Sequence, residues 1–189
     1  MRISAAHWLD AARPCPSPHF NQRPQAEISL IVIHNISLPP AQFGGPYIEQ
    51  LFLGTLDPQE HPYFAEIHQL EVSSHLLIRR DAELIQFVPF DQRAWHAGRS
   101  QYLGRDNCND FSVGIELEGT DDQPFDDRQY EILARVIQSL WQHYPESKGR
   151  IVGHSDIAPD RKTDPGLYFD WDRLQKLLAK KYSLCANNA

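Results

Sequence analysis

The segment ISLIVIHNI, residues 28–36, is dense in β-branched side chains and stops at the SLPP that follows, so it reads as a strand. It is apolar on both faces until His34. A strand of that kind is covered on both sides and belongs in the middle of a layered sheet. A polar residue at its end then faces a cleft.

A second strand is FSVGIELEG, residues 111–119. Phe111, Val113, Ile115 and Leu117 fall on one face, and Ser112, Gly114, Glu116 and Glu118 on the other. One face goes to a core, and the other points two carboxylates to the same side. Outward from these strands, residues 1–27 are rich in Pro and polar residues and are expected to wrap the surface irregularly. Residues 37–72 form a long connection with one short helix near YIEQLF. SSHLLIRR and ELIQFVPF flank Asp81 and Ala82 as a hairpin, and QRAWHAGRS follows as a loop.

Asp126 as N-cap, Gln129 as the return half of a capping box, and Phe125 with Tyr130 as a staple predict a helix. Tyr130, Leu133, Ile137, Leu140, Trp141 and Tyr144 are its apolar stripe, and Pro145 follows its end. RIVGH, residues 150–154, is a short strand that again ends in histidine. Asp170 caps a last helix through Tyr182 with Leu174, Leu177 and Leu178 inward, and 183–189 is expected to be a flexible tail. The fold class is α/β, a mixed central sheet flanked by helices, in one domain over 1–189.

The chain has 189 residues, 41% hydrophobic and 23% charged, with a net charge of -7 and no basic face that would suit nucleic acid. No run approaches the roughly 20 apolar residues of a membrane span, and the N-terminus lacks a signal-peptide core. Cys15, Cys108 and Cys185 are odd in number and widely spaced, which fits a reducing compartment, so the cytoplasm is expected.

Two strands end in histidine, His34 and His154, and Asp164 lies ten residues after the second, in HSDIAPDRKTDPG. The prolines and glycine of that stretch argue against helix or strand. A catalytic zinc takes three protein ligands and leaves a fourth position to water, which two His and one Asp would satisfy. Nine histidines are present and no HExxH motif, so spacing alone leaves an ordinary strand-end role open.

The blocks IVIHNIS, FGGPY, HPYF, SSHLLIRRD, VPFDQRAWHAG, NDFSVGIELEGTD and VGHSDIAPDRKTDPG, in that order, resemble the zinc-dependent N-acetylmuramoyl-L-alanine amidases. The resemblance is strongest to their cytoplasmic branch, which acts on 1,6-anhydro-muropeptides in cell-wall recycling. It implies the amidase fold shared with peptidoglycan-recognition proteins, a zinc ion on His34, His154 and Asp164, and catalytic roles for Glu116 and Lys162. Zinc would polarise the scissile carbonyl and activate a water. Glu116 would move the proton to the leaving L-alanine nitrogen, with Glu118 on the same face as its rival. Lys162 would stabilise the oxyanion.

Asn35, Tyr63, Trp95 and His96 are candidate substrate contacts, because sugars are held by aromatic faces and amide hydrogen bonds. His75, mid-strand, is expected to pack or to support the site. The partner is expected to be a small soluble muropeptide and the protein a monomer, with an indirect influence on β-lactamase induction. An amidase acting on intact peptidoglycan and a metal-free recognition module are the rival readings.

Overall fold

The structure, a computed structural model, describes residues 1–180. The N-terminal segment, expected to be irregular, contains two short strands, β1 (Arg13–Pro14) and β2 (Phe20–Gln22). Two or three residues carry no periodicity, and both strands are fixed by partners far along the chain. Pro14 is tolerated because β1 is an edge strand.

The 28–36 segment is β3 (Leu30–Ile36), and its first five residues are buried. The 37–72 connection holds two helices where one was expected, α1 (Tyr47–Leu53) and α2 (Pro62–Ile67). Pro62, a breaker in the middle of a chain, here sits in the first helical turn, where its missing N–H costs nothing. The hairpin is β4 (Leu76–Ile78) and β5 (Leu84–Gln86), antiparallel, with Ala82 at φ 73 in its turn. The start of QRAWHAGRS is a strand rather than a loop, β6 (Gln92–Ala94), paired with β2. A small hairpin, β7 (Gln101–Tyr102) with β8 (Arg105–Asp106), follows.

β9 (Ser112–Glu118) is buried along its whole length, so both of its faces are covered. The capping box of α3 (Asp127–His143) forms as expected, and Phe125 meets Tyr130 edge-on at 6.4 Å. Such a cap is worth about 0.5–2 kcal/mol. The chain continues through β10 (Ile151–Gly153), a single turn α4 (His154–Ile157), and α5 (Trp171–Ala179). The helical turn at His154 departs from the expectation for HSDIAPDRKTDPG, because the first proline comes only at Pro159 and Asp156 accepts from the Gly153 N–H at 2.7 Å. Tyr182 and the 183–189 tail lie outside the described residues.

The six-stranded sheet runs β1-β5-β4-β9-β3-β10, parallel between neighbours except for β4 with β5. On one face Ile31, Ile33, Val113, Ile115 and Leu117 pack under Leu133, Ile137 and Leu140 of α3. Truncating a fully buried member such as Ile33 to alanine would cost about 2–5 kcal/mol. The other face carries two smaller clusters. Leu77 and Ile85 meet Leu51, Phe52 and Phe64 from the 37–72 connection, and Leu30 and Val32 meet Ala97, Cys108, Phe111 and Ile157. A cavity of about 780 Å³ takes lining residues from both sides of that face.

Candidate metal centre and active site

Parallel pairing sets the site. His34 on β3 is the register partner of Glu116 on β9, and Gly153 on β10 is the partner of Ile33, so His154 arrives beside His34. Three functional side chains therefore stand together at the C-terminal ends of adjacent parallel strands, the usual binding edge of such sheets.

The loop after α4 brings in Asp164. His34 Nδ1 lies 3.0 Å from His154 Nδ1, and Asp164 Oδ2 lies 3.1 Å from each of them. In a tetrahedral zinc site with bonds of about 2.0–2.1 Å, neighbouring ligand atoms stand about 3.3 Å apart, close to this triangle. The hydrogen-bond chemistry also calls for a cation. His154 Nε2 is 3.1 Å from the Ala97 carbonyl, which only accepts, so a neutral His154 carries its proton on Nε2 and aims a bare Nδ1 at the Asp164 carboxylate. Burial pushes the His34 imidazole down to about 4, against the opposing pull of Asp164. Burial alone would raise the Asp164 carboxyl, but the close imidazoles of His154 and His34 outweigh it and hold it well below its usual range. Neutral imidazoles and an ionised carboxylate make a donor set that fits a divalent cation.

Glu116 is buried, and among the described residues its Oε2 has no hydrogen-bond partner. Burial, reinforced by the Asp164 charge and opposed by Lys162, pushes its carboxyl well above the ordinary range. Glu118 leaves the same strand on the same side but is fully engaged. It pairs with Arg79 at 3.3 Å and accepts from the backbone N–H groups of Gly44 and Arg80. It braces the 37–46 loop and does not line the cavity.

Lys162, Asn35, Tyr63, Trp95 and His96 all line the cavity. Asn35 donates its amide to Asp121 at 2.6 Å, and Thr163 donates its hydroxyl to the other Asp121 oxygen. Trp95 is pinned through Nε1 to Asn21 and stacks on His19 at 6.2 Å, so its ring is a wall rather than core. His75 is fully buried and accepts the Gly114 N–H, a supporting role for the central sheet. Two contributors are not evident from sequence. Asp121 ties the Lys162–Asp164 loop to β3, and Arg161, which the sequence leaves without a role, donates to the carbonyls of Ala97 and Arg99. The only sequence signal for Asp121 is its place just past a strand end, and for Arg161 its place beside Lys162.

Residues 24–167 match the family described as N-acetylmuramoyl-L-alanine amidase. The chain is 60% identical over 175 residues to the 1,6-anhydro-N-acetylmuramyl-L-alanine amidase AmpD of Escherichia coli (strain K12), covering 92% of this chain and 96% of that protein. A crystal structure of a selenomethionine AmpD derivative matches with a TM-score of 0.92 at 56% identity, covering 94% of this chain and 99% of that one. The complex of the E. coli amidase AmiD with anhydro-N-acetylmuramic acid-L-Ala-D-gamma-Glu-L-Lys matches with a TM-score of 0.58 at 28% identity, covering 90% of this chain and 60% of that one.

Proposed function

The chain belongs to the N-acetylmuramoyl-L-alanine amidase family, and from that premise we propose that it hydrolyses the amide between (1,6-anhydro)-N-acetylmuramic acid and L-alanine of soluble muropeptides in cell-wall recycling. The observation that carries this reading is the buried Glu116 carboxyl, whose Oε2 has no hydrogen-bond partner among the described residues, placed in register with His34 of the three-donor cluster.

His34, His154 and Asp164 would hold a zinc ion, which when bound supplies Lewis acidity toward the scissile carbonyl and a water of lowered pKa. Glu116 accepts the proton of the attacking water and delivers it to the amide nitrogen. The C–N bond then breaks to leave a lactyl carboxylate and a free L-alanine amine. The raised proton affinity of Glu116 suits a group that must both take and give a proton. Lys162 places a fixed positive charge where the carbonyl oxygen becomes negative, an effect of about 2.7–4 kcal/mol where one such donor is removed. The Trp95 ring, Tyr63 and Asn35 hold the sugar and peptide against the cavity wall.

The proposal extends to a single catalytic domain acting as a monomer in the cytoplasm. By the same resemblance, it would influence β-lactamase induction through the muropeptides it removes. Among the described residues no helix is long and apolar enough to cross a membrane. Turnover measured side by side on soluble anhydro-muropeptide and on purified sacculi tests the substrate. The soluble compound is expected to be cleaved far faster, and equal or greater release from sacculi would transfer the function to the intact wall.

A further inference from the structure

We infer that His96 and Ser112 form a positioning relay that leaves the Nδ1 lone pair of His34 free for the cation, an inference that rests on the metal reading above. The relay can be traced from its far end. The Ser112 hydroxyl has one proton, and the Cys108 carbonyl, which only accepts, takes it at 2.6 Å. Ser112 Oγ can therefore only accept from His96 Nε2, 3.1 Å away, so that nitrogen carries a hydrogen. His96 is held by no carboxylate among the described residues, and as a neutral ring its Nδ1 is an acceptor. His34 Nε2, at 2.9 Å, donates to it. A neutral His34 with its proton on Nε2 has a bare Nδ1, and that atom faces His154 and Asp164.

The surroundings hold His96 for this task. Its ring lies against Gly114, where a Cβ would come within 2.5 Å of the His96 Cγ, so only glycine admits it. The backbone N–H groups of His96 and Ala97 both donate to Asn109 Oδ1, at 3.1 and 2.8 Å. Both ring nitrogens are committed to protein partners, so His96 sits on the cavity wall without a free nitrogen for substrate. Adjacent Ala97 sets the other histidine through its carbonyl, so residues 96 and 97 orient both imidazole ligands. Without the relay, His34 could place its proton on Nδ1 and donate to Asp164, closing the triangle with a proton instead of a cation.

Partners that orient a metal-bound histidine are worth about 10–100-fold in affinity. Zinc affinity is to be measured on the full chain by chelator competition for the parent protein, His96→Phe, His96→Gln and Ser112→Ala, alongside the melting temperature of each zinc-free protein. His96→Phe and Ser112→Ala are expected to bind zinc about 10–100-fold more weakly with melting temperatures near the parent's, while His96→Gln, whose amide both accepts and donates, recovers most of the loss. Long-range proton–nitrogen NMR of the zinc-loaded parent should place the His96 proton on Nε2.

A Ser112→Ala affinity within about twofold of the parent's, equal losses for Phe and Gln, or a His96 proton on Nδ1 would overturn the relay. If His96→Phe fails to fold, Ser112→Ala and the NMR assignment decide. Failure of the parent itself to bind zinc would instead sink the metal reading, so the two failures are distinguishable.

Discussion

Glu116 and Glu118 leave β9 on the same side and meet opposite surroundings. Arg79 and two backbone N–H groups satisfy Glu118, whereas Glu116 Oε2 is buried with no partner among the described residues. Glu116→Gln is expected to lower kcat about a hundredfold to ten-thousandfold, the usual worth of a positioned proton carrier, with the zinc-free melting temperature unchanged or raised. Glu118→Gln is expected to retain chemistry and lose about 1–3 kcal/mol of stability, because a buried charged hydrogen bond is weakened. Steady-state kinetics and thermal unfolding of both variants check this, and the reverse pattern would make Glu118 the base. Strand alternation places both carboxylates on one face but cannot choose between them. The choice rests on Arg79, 39 residues away with no local period to announce it. The three proposed metal ligands show in the sequence only as strand ends and a nearby acid, a pattern that needed the family resemblance to point to a metal. The tautomers that would suit them to one depend on the Ala97 and Cys108 carbonyls, which have no sequence signature.

At the scale of the element, the 154–166 segment is not the featureless loop its prolines suggest. It opens with a helical turn, the Ser155 N–H donates to the Asp164 carbonyl at 2.9 Å, and Arg161 and Thr163 fasten it to the 97–99 loop and to Asp121. Gly166 ends it at φ 83, where a Cβ would fall 2.2 Å from the Asp121 Cα. Gly166→Ala is therefore expected to cost more than the about 1–2 kcal/mol of left-handed strain alone, and to weaken zinc binding by displacing Asp164. Denaturant unfolding and chelator competition measure the two effects, and a variant with parent-like values in both would remove the segment's role as a fixed arm. Charge and Pro content made the segment stand out, and the family resemblance implied its role in the site. Its shape could not be read, because it is built from bonds to two other parts of the chain as well as within itself.

At the scale of the whole molecule, parallel pairing of β10, β3 and β9 turns three separated sequence positions into one edge. The long strands and the α3 cap were legible because each carries its own local signal, β-branched density in β3, alternation in β9 and capping residues before α3. β1, β2 and β6 were not, since strands this short exist only through their partners. Outside the cavity lining, Glu49 on α1 joins the β1 edge to the end of β4 through Arg13 and Arg79. Burial would raise its carboxyl, but hydrogen bonds from these two guanidinium groups outweigh it and hold it at about 2, against an ordinary 4.5. A carboxyl depressed in the folded state stabilises fully above its unfolded value, and that contribution is lost as pH falls through its folded value. Glu49→Gln is therefore expected to lower the melting temperature near neutral pH and to flatten its fall between pH 4.5 and about 2, whereas a curve parallel to the parent's would show that Glu49 carries none of the acid sensitivity.

The central claim joins a bond, a substrate and a metal, and mass spectrometry of the products from 1,6-anhydro-N-acetylmuramoyl-peptide tests all three at once. With zinc present, the reaction should yield anhydro-N-acetylmuramic acid and a peptide with a free L-alanine amine. Prior treatment with a chelator should abolish both products, and added zinc should restore them. Cleavage at another bond, or undiminished release of these products from protein verified to be metal-free, would contradict the account.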